Sequence, residues 1–78
     1  MKELLQYLAK SLVANPEAVE VNESREENTS VLELRVAKED LGRIIGKQGR
    51  TAKSIRAVLS AAAARSNRKV VLEIVEEK

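Results

Sequence analysis

Cysteine, histidine, tryptophan and phenylalanine are all absent from this 78-residue sequence, and a single tyrosine is its one aromatic residue. Without cysteine there can be neither a disulfide framework nor thiolate chemistry. Without histidine the chain lacks the commonest general base and the commonest metal ligand. Two pairs of neighbouring acids, Glu26-Glu27 and Glu76-Glu77, fall in a predicted loop and a predicted frayed tail, where we expect them to be solvated. These absences argue against an enzyme and predict no cofactor and no metal site.

The single aromatic residue, Tyr7, also excludes nucleic-acid binders that stack bases on several aromatic platforms, such as RNP-type sheets and OB-folds. No apolar run approaches the roughly 18 residues of a membrane span. Lys2 and Glu3 lead directly into an amphipathic pattern, which is not that of a signal peptide. We therefore expect a cytoplasmic protein of one small domain, residues 1–78.

Positive charge is concentrated in the middle of the chain, although the overall net charge is only +2. Residues 38–69 carry nine basic and two acidic side chains, whereas the segments before and after are net negative. A local basic surface of this kind is typical of a protein with an anionic partner.

Hydrophobic periodicity predicts six elements in the order α-β-β-α-α-β. We expect helices over residues 2–14, 38–45 and 50–65, and strands over residues 18–24, 30–37 and 70–75, with a hairpin loop over 24–29. Asn15-Pro16 should end the first helix. The expected fold class is α+β, with three helices covering one face of a three-stranded mixed sheet.

All three glycines lie in residues 42–56, together with five basic residues and no acid. A Gly46-Lys47-Gln48-Gly49 turn leads into a basic amphipathic helix whose N-terminus would point free N–H groups at an anion. Gly42 inside a short helix costs about 1 kcal/mol relative to alanine, which suggests a need for close backbone approach. One of Ile44 and Ile45 should anchor the core and the other should line a groove. A nucleotide-binding P-loop is excluded, since the Gly42 to Lys47 spacing is one residue too short and Gln48 replaces the hydroxyl residue.

Ile45-Gly46-Lys47-Gln48-Gly49 resembles the I-G-x-x-G signature of KH domains, and the element order resembles their type II, prokaryotic form. The whole chain is similar to the small single-domain bacterial KH proteins of the KhpA family. The resemblance implies a cleft for about four single-stranded nucleotides, clamped by the G-x-x-G loop. It also implies a global RNA chaperone, and a homodimer or a heterodimer with a second KH protein of the KhpB (Jag) type.

Carried over by position, the resemblance implies three groups of RNA-binding residues. The clamp is Gly46, Lys47, Gln48 and Gly49. The groove wall comprises Ile44, Ile45, Thr51, Ala52 and Ile55. Phosphates would be steered by Arg43, Arg50, Lys53 and Arg56, and a short variable loop facing the clamp would contribute Arg65, Arg68 and Lys69. Because that loop is short, sequence selectivity should be low.

Two alternatives to RNA binding remain open at this point. The small-residue surface formed by Ala57, Ala61 and Ala64 reflects either high helix propensity alone or a close contact with another subunit. In the second case the chain would be a protein-interaction subunit. A single-stranded DNA ligand is equally compatible with the residues, because contact with a 2′-hydroxyl cannot be read from residue types.

Overall fold

The computed structural model describes residues 1–76 and has the predicted order of elements. Its helices are α1 (Lys2–Leu12), α2 (Leu41–Ile45) and α3 (Arg50–Ala64). Its strands are β1 (Glu20–Glu26), β2 (Thr29–Val36) and β3 (Lys69–Glu76). Single 3-10 turns occupy Pro16–Ala18, Lys38–Asp40 and Lys47–Gly49. Of the predicted tail, Glu76 ends β3 and the two residues after it lie outside the described residues.

The three strands form one mixed sheet in the order β1-β2-β3. β1 runs antiparallel to β2, with Val21 opposite Leu34, while β3 runs parallel to β2, with Leu72 beside Leu32. A parallel pair needs a long crossover, and α2 and α3 supply it. The predicted α+β class and the predicted mixed sheet are both confirmed.

Alternation along β2 places its apolar side chains under the helices. Leu32, Leu34 and Val36 are fully buried. They pack in one cluster with residues from the other five elements and the turn before β1. The cluster members outside β2 are Leu5, Ala9, Val19, Val21, Ile44, Ile55, Leu59 and Leu72. These buried side chains, Val19 and Val21 included, form the core between the helices and the sheet.

Three predicted segments differ in the structure, in addition to β1, which begins at Glu20 rather than at residue 18. α1 ends at Leu12 rather than at residue 14, because the N–H groups of Ala14 and Asn15 donate to the Asp40 carboxylate instead of continuing the helix. The predicted six-residue hairpin loop is only the turn Glu27-Asn28, with Glu27 at φ 47°. The polar residues assigned to that loop extend β1, since strand residues at an exposed end need no apolar side chains.

The third correction concerns the segment 38–45, predicted as one helix. It divides into the 3-10 turn Lys38–Asp40 and the five-residue α2. None of the helices within residues 1–76 is long and apolar enough to cross a membrane.

Candidate nucleic-acid interface

α2 leads straight into the Gly46 to Gly49 loop, and its two isoleucines have different environments. Ile44 is completely buried in the core, whereas 39% of Ile45 is exposed. The prediction of one anchor and one accessible isoleucine is confirmed. Ile44 was also predicted to contact RNA, but a side chain with no accessible surface has nothing to offer a ligand, so only Ile45 remains a candidate.

The loop turns the chain sharply by means of three residues with positive φ. Gly46 has φ 76° and ψ 174°, a combination almost restricted to glycine. Gln48 (φ 58°, ψ 26°) and Gly49 (φ 75°, ψ 11°) are both left-handed. A hydrogen bond from the Gly49 N–H to the Gly46 carbonyl oxygen, 3.2 Å long, closes the loop.

Gly46 also lies against the start of α3. A Cβ on Gly46 would be 2.8 Å from the backbone nitrogen of Thr51 and would overlap the Thr51 hydroxyl. A Cβ on Gly49 or on Gly42 would meet nothing within 4 Å. Close packing therefore requires glycine at position 46 alone, and the expected need for close approach at Gly42 has no counterpart within the described chain.

The outer side of the loop offers donors for an anion. Lys47 and Gln48 are exposed. Among residues 1–76, no backbone acceptor receives a hydrogen bond from either of their N–H groups. Arg50, Lys53 and Arg56 follow at intervals of three along α3 and are also exposed. Within the same described residues, Lys47 and these three cations form no ion pair, so all four charges are available to a ligand.

Residues of α3 divide between two flanks of the helix. Thr51, Ser54, Ile55 and Val58 face α1 across a groove. Lys53 and Arg56 lie on the opposite flank, since residues two apart on a helix differ by about 200°. Ala52 is half-buried. The predicted groove wall thus divides: Thr51 and the buried Ile55 belong to the α1 side, away from the basic flank.

The basic loop after α3 lies far from the clamp. α3 has 15 residues, which places its ends about 22 Å apart. Arg65 and Lys69 are exposed there, and Lys69 pairs with Thr29. Arg68 is directed inward: its Nε donates to the buried Ser30 hydroxyl at 3.1 Å. Arg68 was predicted to contact RNA, but its guanidinium donates to Thr29 and Ser30 at the start of β2.

Sequence reasoning missed Asp40, a buried carboxylate that is 1% exposed. It accepts hydrogen bonds from the N–H groups of Ala14 and Asn15 and from the Asn15 side-chain amide, each 3.0 Å long. Arg43 Nε is 3.6 Å from its Oδ1. Burial raises the pKa of Asp40, but these hydrogen bonds and the Arg43 charge outweigh it and hold the pKa below its ordinary value of 3.8. An aspartate directly before a helix could have drawn attention to this residue, but its hydrogen-bond partners, 25 and 26 positions away, could not be inferred from local sequence.

The groove between α1 and α3 was also missed. It encloses about 400 Å³ and is lined mainly by apolar atoms. Tyr7, Leu12 and Val58 expose 70%, 38% and 45% of their surfaces there. Leu12 is the last residue of α1 and lies in the lining of this groove. Ala57, Ala61 and Ala64 are exposed as predicted, on the outer side of α3.

Comparison with known proteins identifies the family of the chain. A family model described as "KhpA/KhpB, KH domain" matches residues 2–74. The chain belongs to this KH-domain family. The chain is 57% identical over 75 residues to the RNA-binding protein KhpA of Clostridium perfringens, and the match covers 96% of this chain and 100% of that relative. That of Chlamydia trachomatis is 54% identical over 78 residues, covering both chains completely.

Solved structures place this KhpA/KhpB-family chain in the type II KH fold. Aquifex aeolicus Era bound to GDP.AlF4- has a TM-score of 0.66 at 23% identity over 96% of this chain. Era in complex with MgGDPNP and nucleotides 1506-1542 of 16S ribosomal RNA has a TM-score of 0.58 at 24% identity over 96% of this chain. The chain spans only 29% of each Era chain, and at these identities the likeness establishes the fold alone.

Proposed function

We propose that this chain binds single-stranded RNA without catalysis, by clamping the sugar-phosphate backbone in the Gly46 to Gly49 loop. The observation that carries the proposal is the open loop itself. Two unused N–H groups, at Lys47 and Gln48, lie beside cations that no acid within residues 1–76 neutralises. Amides and cations together are the donors that phosphates prefer.

Bases would lie against aliphatic surface, since the single aromatic residue of the sequence, Tyr7, faces the groove between α1 and α3. Ile45 and Gly42 are three apart and exposed, so they share the open side of α2. Lys53 and Arg56 extend the basic surface along α3. Arg65 and Lys69 complete it at the distal end, about 22 Å away. Aliphatic packing and backbone contacts discriminate poorly between bases, so sequence selectivity should be low.

In the cell, we propose that the chain acts in the cytoplasm as an RNA chaperone or post-transcriptional regulator with many targets. The name of its curated relatives, RNA-binding protein KhpA, supports the ligand class. A single cleft for about four nucleotides should bind weakly, so pairing with another KH module would raise the affinity through avidity.

Fluorescence anisotropy of a labelled, mixed-sequence single-stranded RNA, measured across a salt series, tests the clamp. The variant is the double substitution Lys47→Asp, Gln48→Asp. Both side chains are exposed and aspartate tolerates the left-handed backbone at position 48. The matched control, Lys2→Asp with Ser24→Asp, makes the same change in net charge at exposed positions of α1 and β1. Circular dichroism verifies that every variant is folded.

The clamp predicts salt-dependent binding by the wild type and the control, and loss of binding by the loop variant. Equal weakening of both variants would mean diffuse charge attraction and would refute the clamp. The same series with single-stranded DNA of matching sequence decides between RNA and DNA as the preferred ligand.

A second candidate function, as a protein-interaction subunit, is favoured by the exposed apolar groove between α1 and α3. We propose that this groove, rather than the alanine surface predicted from the sequence, contacts a second copy or a KhpB-type (Jag) KH protein. Val58→Asp should abolish self-association in sedimentation experiments, while Ala61→Asp on the adjacent exposed side should preserve it. A monomer at high concentration with full RNA affinity would count against self-association.

A further inference from the structure

Asp40 is the one buried ionisable side chain within residues 1–76. It ends the 3-10 turn Lys38–Asp40 and directly precedes α2, which in turn directly precedes the loop. Transfer of a carboxylate from water into a protein interior is unfavourable unless hydrogen bonds and opposite charge compensate for it. The groups that compensate at Asp40 indicate what the residue does.

The carboxylate receives donors from two directions. Its Oδ2 accepts both the N–H and the side-chain amide of Asn15, and its Oδ1 accepts the N–H of Ala14. Oδ1 also lies 3.6 Å from Arg43 Nε. An ionised carboxylate only accepts hydrogen bonds, so it suits this set of donors. An asparagine at position 40 would place its side-chain NH2 group, itself a donor, against one of these donors, and that hydrogen bond would be lost.

These bonds connect the segment that follows α1 to the residue that directly precedes α2. Asp40 is 26 positions after Ala14 and 25 positions after Asn15, and α2 has only five residues before the Gly46 to Gly49 loop. A helix this short has little stability of its own, so tertiary contacts must set its direction. The buried side chain of Ile44 and the polar contacts of Asp40 together set the direction of α2.

Arg43 completes the arrangement. Its side chain remains 61% exposed while its Nε faces Asp40. The remaining guanidinium N–H groups are therefore available on the outside of α2, three residues before Gly46. A guanidinium held at one end loses less conformational freedom when it binds a phosphate.

We infer that Asp40 is a positioning residue of the RNA interface, which orients α2 and Arg43 so that the loop and its neighbouring cation engage phosphate together. This inference rests on the proposed function. It predicts a change in RNA affinity opposite to the change expected from electrostatics alone. Removal of an acid near a polyanion site should strengthen binding by electrostatics alone, whereas loss of the positioning contact should weaken it.

The test compares Asp40→Asn with Glu39→Gln by RNA anisotropy, well below the melting temperature of each variant. Glu39 is exposed, adjacent and forms no ion pair within residues 1–76, so it is a matched loss of one negative charge. We expect Glu39→Gln to bind as tightly as wild type or more tightly, and Asp40→Asn to bind about tenfold more weakly. In addition, Arg43→Gln should reduce the salt dependence of wild-type binding but have little further effect in the Asp40→Asn background.

A folded Asp40→Asn protein that binds as tightly as Glu39→Gln would overturn the inference while leaving the clamp intact. If Asp40→Asn does not fold, Asn15→Ala removes a single donor to the carboxylate and replaces it in the test. It should shift the amide NMR resonances of Lys47 and Gln48 and weaken RNA binding; unchanged resonances and affinity would overturn the inference. A wild type that binds no RNA would overturn this inference and the proposed function together.

Discussion

Gly46 lies so close to Thr51 that there is no room for a side chain on Gly46. That Cβ would lie 2.8 Å from the Thr51 backbone nitrogen and would overlap its hydroxyl. Rotation of the Thr51 side chain could move its hydroxyl away, but not its backbone nitrogen, which belongs to the first turn of α3. The loop can therefore keep its shape only with glycine at position 46.

The two glycines of the loop should consequently differ in their tolerance of alanine. Gly49→Ala should lower the free energy of unfolding by about 1–2 kcal/mol, the penalty for a left-handed residue. Gly46→Ala adds a backbone clash to a conformation nearly restricted to glycine and should cost clearly more. Urea denaturation of both variants measures the difference. Equal losses would show that the Gly46–Thr51 contact is unimportant.

Gly42→Ala should stabilise the protein and weaken RNA binding. A Cβ at this exposed helical position meets nothing within 4 Å, so alanine should add up to about 1 kcal/mol of stability. If the nucleic acid approaches the open side of α2, the added methyl group would obstruct it. Thermal unfolding and RNA anisotropy on the same preparation give the two quantities. Improved stability with unchanged affinity would remove Gly42 from the interface.

The pH dependence of stability should contain a contribution from Asp40. Its pKa is lower in the folded protein than the ordinary 3.8, so the unfolded chain takes up the proton first as pH falls. The contribution is complete above the unfolded pKa and is lost as pH falls through the folded pKa, below about 4. Thermal unfolding from pH 6 to pH 2.5 should show a smaller decline for Asp40→Asn than for wild type, relative to each protein at pH 6. Parallel curves would contradict this prediction.

Arg68 and Arg65 should differ in their effect on stability although both are in the basic loop. Arg68 donates to the Ser30 hydroxyl, which is 2% exposed, and to the Thr29 carbonyl oxygen. Arg68→Gln should cost about 1–2 kcal/mol because a buried hydroxyl loses its charged partner. Arg65→Gln, at an exposed position, should change stability little but weaken RNA binding. Chemical denaturation separates the two, and equal stability losses would contradict this reading of the loop.

The basic flank of α3 should determine the salt dependence of RNA binding. Lys53→Gln or Arg56→Gln should each reduce the slope of log affinity against log salt by about 0.7, the value for one contact with a single strand. Lys10→Gln, at an exposed position of α1, serves as control and should leave the slope unchanged. An equal change in all three variants would mean that binding is not localised on α3.

Local patterns along the chain were enough to predict the element order, the sheet and the loop. When one face of a sheet is covered, a strand with alternating apolar and polar residues must direct its apolar side chains to that face, as β2 does with Leu32, Leu34 and Val36. The Gly46-Lys47-Gln48-Gly49 turn between two helices was recognised because glycine spacing and charge are properties of neighbouring residues. Contact between this loop and RNA stays a prediction.

Errors arose where a residue far along the chain decides the local outcome. α1 stops early because Asp40, more than 20 positions later, takes the N–H groups that would extend it. Arg68 turns away from solvent because Ser30 needs a partner inside the protein. The apolar groove exists because α1 and α3 pack side by side, which brings Leu12 near Val58.

Periodicity and short runs of residues were sufficient to predict the α+β class, the mixed sheet, the membership in a KH family and the position of the loop. Three outcomes followed only from the folded arrangement: which isoleucine is accessible, which arginines form contacts within the protein, and the connection that Asp40 makes between the segment after α1 and the start of α2. Those outcomes depend on hydrogen bonds and burial between residues distant in sequence, which no local pattern specifies.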